Sequence, residues 1–424
     1  MTSPSVLTFE YVPESQTLEL TGTLVASWDE KDRRIASISM YGLGDLKKNF
    51  RNDVRDVERA YGSRLDWGNK PNYVYTYLDE LSLAGYGFWE KVTGDRDLRW
   101  LNRIEESLAP DPPGDWWAGL DPHTLAKSVY HIETKGPPEA LLPLDALPLG
   151  FLDNACILRD ETDVFRLASL FGGFRSIVRH SPIAAGTYRY PAACGRPATL
   201  YLRGVTALGS GEMEEVLKDA IATFIGPFPD SVHYDSPDDI ARALLVPEPA
   251  LGADSEIPDL VQVHAHAKVG RGIAQKLLIT FDFGSKDEFV VVRSSHFLAV
   301  NNEIAKLRRN GTLVDTGPLV VFNSCEALGY IGDELASSAF DLARFGSRAV
   351  VGPREEVLAD YAIEFSRALH KELNNGGTIG EAAVAGRWKT LIDHLNPLGV
   401  IYATFGDVES GRSLPAGQSE VGDH

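Results

Sequence analysis

Two apolar runs of this 424-residue chain end in residues that could do covalent chemistry together. One is Pro318-Leu319-Val320-Val321-Phe322, which breaks into Asn323-Ser324-Cys325-Glu326. The other, about sixty residues upstream, is Leu260-Val261-Gln262-Val263-His264-Ala265-His266-Ala267. Each has the length and composition of a strand buried in a parallel sheet. In open α/β sheets, ligands bind beyond the carboxyl ends of the strands. Neighbouring strands of this kind would bring a thiol and an imidazole to one rim, as a cysteine nucleophile and its base require. A thiol is mostly protonated at pH 7, so it needs a base or a lowered pKa, and His266 is the candidate base. Acyl transfer also needs donors for an oxyanion, and the backbone N–H groups of Ala267 and Cys325 are the candidates. A lone Cys or His would more often be a core residue. The ordered pair of strand ends carries the reading.

The elements that must position these residues can be read around them. Val6 to Val12 and Thr17 to Leu24, joined by Pro13-Glu14-Ser15-Gln16, predict a hairpin. Residues 45–110 are charged and aromatic, with helices expected near 50–61 and 96–108. Trp67, Trp89, Trp100, Trp116 and Trp117 crowd this region and read as core and interface packing, or else as a docking surface. From about residue 120 the texture becomes α/β. A strand is expected at Thr199 to Arg203, and helices at 212–224 and 238–245. The runs Lys276 to Phe283 and Glu288 to Arg293 predict a second hairpin. Helices follow at 295–309, 334–345 and 357–373, the last ending at Asn374-Asn375-Gly376-Gly377. Thr378-Ile379-Gly380-Glu381 has the form of a capping box. Short strands are expected at 348–351 and 398–405. Strands alternating with helices predict a doubly wound, mostly parallel sheet with helices on both faces.

Composition narrows the function classes. The formal net charge is -19, which argues against nucleic acid as a partner, because phosphate binding rests on Lys and Arg. It suits basic peptide segments as ligands. The three cysteines, Cys156, Cys194 and Cys325, are widely spaced and form no C-x-x-C, so neither a disulfide framework nor a zinc ribbon is expected. No basic and apolar leader opens the sequence, and no run approaches a membrane span. The expectation is a cytoplasmic protein without membrane contact, metal or cofactor. Gly270-Arg271-Gly272 lacks the third glycine of a dinucleotide fingerprint, and no P-loop is present, so a nucleotide-binding domain is a weak alternative.

Residues 125–410 resemble the CHAT domain, a caspase-like group of clan CD cysteine peptidases related to separase and the metacaspases. The family's strand ending in a small residue, His and Gly is similar to Val263-His264-Ala265-His266-Ala267, and its small-Cys-Glu strand to Asn323-Ser324-Cys325-Glu326. Its proline-centred element resembles Leu142-Pro143-Leu144-Asp145-Ala146-Leu147. Its later small-residue strand resembles Ser347 to Pro353, and its closing Gly-Asp resembles Gly406-Asp407. The resemblance implies a caspase-like α/β fold with His266 as general base and Cys325 as nucleophile. At period two His264 and His266 share a strand face, so face alone does not separate them. The family pattern and the strand-end position favour His266. Ala267 stands where the family usually has Gly; it keeps the N–H but reaches positive φ only at a cost.

Clan CD peptidases that cut after Arg or Lys use an acidic pocket. Glu326, Asp333, Glu355, Glu356 and Asp360 all follow strand ends here. Each is equally well explained as an acid favoured by a helix dipole. Asp360, Glu356 and Glu326 are the candidate substrate-binding residues, while Arg354 keeps an Asp preference open. The domain expectation is an N-terminal α+β extension over 1–120, a caspase-like peptidase domain over 121–411 and a flexible tail over 412–424. The functional expectation is a cysteine endopeptidase that cleaves protein or peptide substrates after Arg or Lys. The resemblance extends this to a bacterial defence-linked proteolytic cascade. An activating protein or upstream protease would then act on loops 246–258, 267–275 or 326–333, with Arg271 as a possible cleavage site. The alternative is a catalytically silent caspase-like scaffold or interaction module.

Overall fold

The computed structural model describes residues 6–12, 15, 17–23, 32–39, 71–94, 131–135, 176–179, 199–203, 236–245, 259–264, 267–271, 277–281, 290–292, 294–309, 317–323, 347–353, 357–394, 396–407 and 410–411, with isolated positions at 49–57 and 342. The chain divides into two compact units. One comprises Met1–Ala185, Gly332–Glu334 and Ala383–Ile401; the other comprises Gly186–Ile331, Leu335–Ala382 and Tyr402–His424.

In the first unit, β1 (Val6–Val12) and β2 (Thr17–Thr23) form the expected antiparallel hairpin, with Val12 opposite Thr17. At its turn the hydroxyls of Ser15 and Thr17 share a hydrogen bond of 2.6 Å. β3 (Asp32–Ser39) pairs with β2. The helix α1 (Pro71–Thr93) was not expected from the sequence, because its start, Tyr73-Val74-Tyr75-Thr76-Tyr77, is rich in strand-forming residues. Buried Tyr77 and Phe88, eleven residues apart, share one helical face, and buried Trp89 lies on the adjacent side; packing of these aromatics overrides local preference. Phe88 and Trp89 meet edge to face with ring centres 5.5 Å apart, so Trp89 belongs to the core. The other four tryptophans of the cluster and the 96–108 helix lie outside the described residues. The described positions within 49–57 are helical, as expected. Two strands from beyond residue 120 complete the sheet. β4 (His131–Lys135) runs parallel to β1, and β5 (Ser176–Arg179) parallel to β4, in the order β3-β2-β1-β4-β5.

The second unit is built on a five-stranded sheet of β6 (Thr199–Arg203), β7 (Leu260–His264), β11 (Leu319–Asn323), β12 (Ala349–Pro353) and β13 (Tyr402–Gly406). Its order is β13-β12-β11-β7-β6; the first four in sequence are parallel and β13 is antiparallel to β12. A mostly parallel sheet is therefore present, as the alternating pattern predicts. Leu260, Val261, Val263, Leu319 to Phe322 and Ala349 to Val351 are all fully buried. A separate antiparallel sheet holds β8 (Ala267–Arg271), β9 (Leu277–Phe281) and β10 (Val290–Val292). The predicted second hairpin is β9–β10. The first part of the 267–275 segment, expected as a loop, is instead the strand β8, because Ala267 to Arg271 find ladder partners in Phe281 to Leu277.

Local chemistry sets the helix ends. In α2 (Pro237–Leu245) the Ser236 hydroxyl accepts from Asp239 N at 3.1 Å and donates to the Asp239 carboxylate at 2.7 Å. α3 is Ser294–Arg309, α4 Ala359–Asn374 and α5 Ile379–His394. α4 stops in a Schellman motif: Gly376, at φ 89°, donates to Leu373 O at 3.2 Å, and Gly377 to Glu372 O at 3.0 Å. The predicted capping box then opens α5, with Thr378 N donating to Glu381 at 2.7 Å and Glu381 N to Thr378 Oγ1 at 3.2 Å. The strand expected over 398–405 is shorter. Pro397–Ile401 form a 3₁₀ turn, since the Asn396 side chain accepts from Leu398 N at 3.0 Å and takes that N–H from a ladder.

Arg348 ties the amino ends of this sheet together. It is 2% exposed. Its guanidinium donates to Gly317 O at 2.7 Å, Gly411 O at 2.9 Å and Asp259 O at 3.2 Å. Its own N–H donates to Pro318 O at 3.0 Å. Three carbonyls lose a charged donor if the fork is removed, so Arg348→Met should cost about 3 kcal/mol or more in urea denaturation. Arg348→Lys should recover only part of this, because an ammonium cannot reproduce the planar fork. Equal stability of Arg348→Met and the parent would show that the staple contributes nothing.

Candidate active site

The carboxyl ends of β7 and β11 are adjacent and in register. Val321 lies opposite Gln262, and Asn323 opposite His264. Side chains at opposed positions of a parallel pair share a face, and positions two apart return to it. Gln262, His264, Val321 and Asn323 therefore line one face of the sheet. All four are buried, His264 at 3% and Asn323 at 6% exposure.

α4 covers that face through a stripe of one residue per turn, Ala362, Ser366 and His370. Asn323 Nδ2 donates to Ala362 O at 3.1 Å and to Ser366 Oγ at 2.7 Å. Tyr402 donates from its hydroxyl to Asn323 Oδ1 at 3.4 Å. The Tyr402 ring stacks on Phe365 with centres 3.8 Å apart. Deeper along the sheet, His370 Nε2 and Gln262 Oε1 are 2.9 Å apart. Because Ala362 meets the end of β11 and His370 meets β7 two residues short of its end, the start of α4 points to the carboxyl edge of the sheet.

Asp360 sits in the first turn of α4, two residues before Ala362, and is half-buried. That turn begins at Leu358 without a side-chain cap, and the helix dipole favours an acid there whatever else the acid does. Ala267 is the first residue of β8, paired with Phe281. His266, Cys325, Glu326 and Glu356 lie outside the described residues, as do Asp333 and Arg354. In the sequence His266 and Cys325 each follow the registered pair His264 and Asn323 by two residues.

No protein-family model and no curated protein matches the chain. Among solved structures, it is similar to two crystal structures of the Saccharomyces cerevisiae separase–securin complex. Their TM-scores are 0.49 and 0.47 at 10% and 11% identity, covering 95% of this chain and 30% of that chain in each case. It is also similar to the complex of Porphyromonas gingivalis RgpB pro- and mature domains, at TM-score 0.37 and 12% identity, covering 87% of this chain and 78% of that one. The chain thus spans under a third of the separase chains it resembles.

Sequence reasoning missed the polar groups beneath this rim. No local pattern in the sequence gives Asn323 a role of its own or singles out Ser366, His370 and Tyr402. The one local signal was a polar residue at each of Gln262 and Asn323 inside otherwise apolar strands. The Gln262–His370 contact is buried on both sides, so removal of either partner alone exposes the other to an unmet donor or acceptor. Gln262→Ala and His370→Ala should therefore be non-additive, with a coupling of roughly 1 kcal/mol in a double-mutant cycle. Strict additivity would show that the two residues act independently.

Proposed function

We propose that the chain is a cysteine endopeptidase with Cys325 as nucleophile and His266 as general base. One observation carries this reading. β7 and β11 are parallel neighbours whose last residues, His264 and Asn323, are in register. Two further residues of chain span at most about 7 Å, so each strand would deliver its reactive side chain to the same rim. In the reaction His266 takes the Cys325 thiol proton as Sγ attacks the scissile carbonyl carbon. The resulting oxyanion is held by the N–H groups of Ala267 and Cys325. The C–N bond then breaks, the leaving amine takes the proton from the imidazolium, and a thioester remains. Water, deprotonated by His266, attacks the thioester and releases the acid and the free thiol.

Substrates are proteins or peptides cut after Arg or Lys. Asp360, at the start of the helix that covers the rim, is the pocket acid, with Glu356 and Glu326 as further members. A basic residue would bind through a charge-assisted contact, for which Arg offers two donors in a fixed plane. The resemblance to the CHAT group further supports a place in a defence-linked proteolytic cascade, with an activating protein or an upstream protease controlling turnover. The segments 246–258 and 326–333 are the proposed points of control.

Cys325→Ala should abolish peptide cleavage with little change in thermal midpoint; retained cleavage sinks the proposal. His266→Ala should lose at least about 10²-fold in rate, while His264→Ala keeps turnover. The reverse outcome would make His264 the base. A peptide library should show cleavage after Arg above Lys and none after Asp, and Asp360→Asn should depress cleavage after Arg far more than after a neutral residue. Cleavage after Asp would overturn the pocket assignment.

A further inference from the structure

The side-chain amide of Asn323 joins three elements at one rim. It holds the end of β11, its Nδ2 reaches two turns of α4 at Ala362 O (3.1 Å) and Ser366 Oγ (2.7 Å), and its Oδ1 receives the hydroxyl of Tyr402, the first residue of β13 (3.4 Å). Both amide hydrogens and the oxygen are thus engaged, in a site where Ser366 and Asn323 are each 6% exposed and Tyr402 is fully buried. Neither hydrophobic packing nor the sheet ladder requires an amide here; a leucine or valine would continue the apolar strand. Two residues after Asn323 in the chain is Cys325. Two residues before Ala362 is Asp360, in the first turn of the same helix.

We infer that Asn323 is a positioning residue which fixes the strand end leading to Cys325 against the helix start bearing Asp360, so that reaction rate and basic selectivity are set by one hydrogen-bonded joint. The inference rests on the assignments of Cys325 and Asp360 made above. Selectivity then lives partly in a buried side chain whose hydrogen bonds all go to the protein. An α-helix whose first turns slide along the strand end by even an ångström would move the carboxylate relative to the thiol, and misplacements of that size cost on the order of 10²-fold in rate.

The experiment measures kcat/KM on a pair of otherwise identical peptides with Arg or its uncharged isostere citrulline before the cut, together with thermal midpoint and the rate of Cys325 alkylation by iodoacetamide. Asn323→Ala should lower kcat/KM on the Arg peptide by on the order of 10²-fold and bring the Arg-to-citrulline ratio close to one. Ser366→Ala should do the same more weakly, and Ser366→Thr, which keeps the hydroxyl, should retain the parent ratio. Leu244→Ala, a core truncation in α2, should lower the midpoint and leave the ratio intact. If Asn323→Ala does not fold, Ser366→Ala carries the same test. A folded Asn323→Ala or Ser366→Ala with the parent ratio overturns the inference while leaving the peptidase reading in place, as does an equal loss of ratio in Leu244→Ala. A parent protein that cleaves neither peptide and shows no Cys325 alkylation overturns the peptidase reading itself, and the inference with it.

Discussion

A buried guanidinium holds the second unit in register. Arg348 lies where β7, β11 and β12 begin, and its guanidinium donates to three backbone carbonyls there, one of which, Asp259 O, also accepts from Leu319 N at 2.9 Å. Burying a charge without hydrogen bonds would be prohibitive, so the position and the three carbonyls select one another. The consequence reaches the opposite edge of the sheet. A slip of one residue between β7 and β11 would turn every side chain to the other face. With the amino ends clamped, the carboxyl ends arrive with His264 opposite Asn323, and the rim is assembled by default. Gly406 takes part in this arrangement. It adopts φ 91°, and a Cβ there would lie 2.5 Å from the carbonyl oxygen of Arg348 itself.

The sheet thus carries a polar joint at each end of a largely apolar middle, which the Gln262–His370 contact interrupts. Leu319 to Phe322 and Leu260, Val261 and Val263 contribute the bulk of the burial and are interchangeable in kind. Specificity of arrangement comes from the few buried polar groups, most of them at either end. At the lower end a charged side chain meets backbone; at the upper end an amide meets a hydroxyl, a helix carbonyl and a phenol. Partly satisfied networks of this sort destabilise, whereas complete ones fix a single geometry. That geometry is what a two-residue catalytic pair would need, since neither partner could compensate for drift in the other.

The strands β7 and β11 were legible because each is a short run of apolar residues ended by a polar break, and so was the capping box, in which Thr378 and Glu381 lie three apart. Their partners are local in sequence or implied by pattern. The amide network was not legible, because Asn323 and Ser366 are 43 residues apart and Asn323 and Tyr402 are 79 apart, with nothing in either stretch to announce the contact. α1 was missed for the opposite reason: its local signal, a tyrosine-rich start, favours a strand, and long-range packing decides otherwise. The pairing of β1 with β4, and of β4 with β5, lies equally beyond local reading, since parallel neighbours carry no turn between them.

That last pairing bears on how the chain folds as it is made. Val6 sits beside His131, and the same unit draws its remaining segments from as far along as Ala383–Ile401, where the 3₁₀ turn touches α1. Domains usually form in the order in which they leave the ribosome. Here the unit that contains β1 cannot be completed until Ala383–Ile401 have been synthesised. Its hairpin edge waits, unpaired on the β1 side, until β4 has been synthesised more than a hundred residues later. The unpaired backbone groups of such an edge are the kind that neighbouring nascent chains can template. Changes in β1 and in the segment around Pro397 thus act on one unit from positions nearly 400 residues apart.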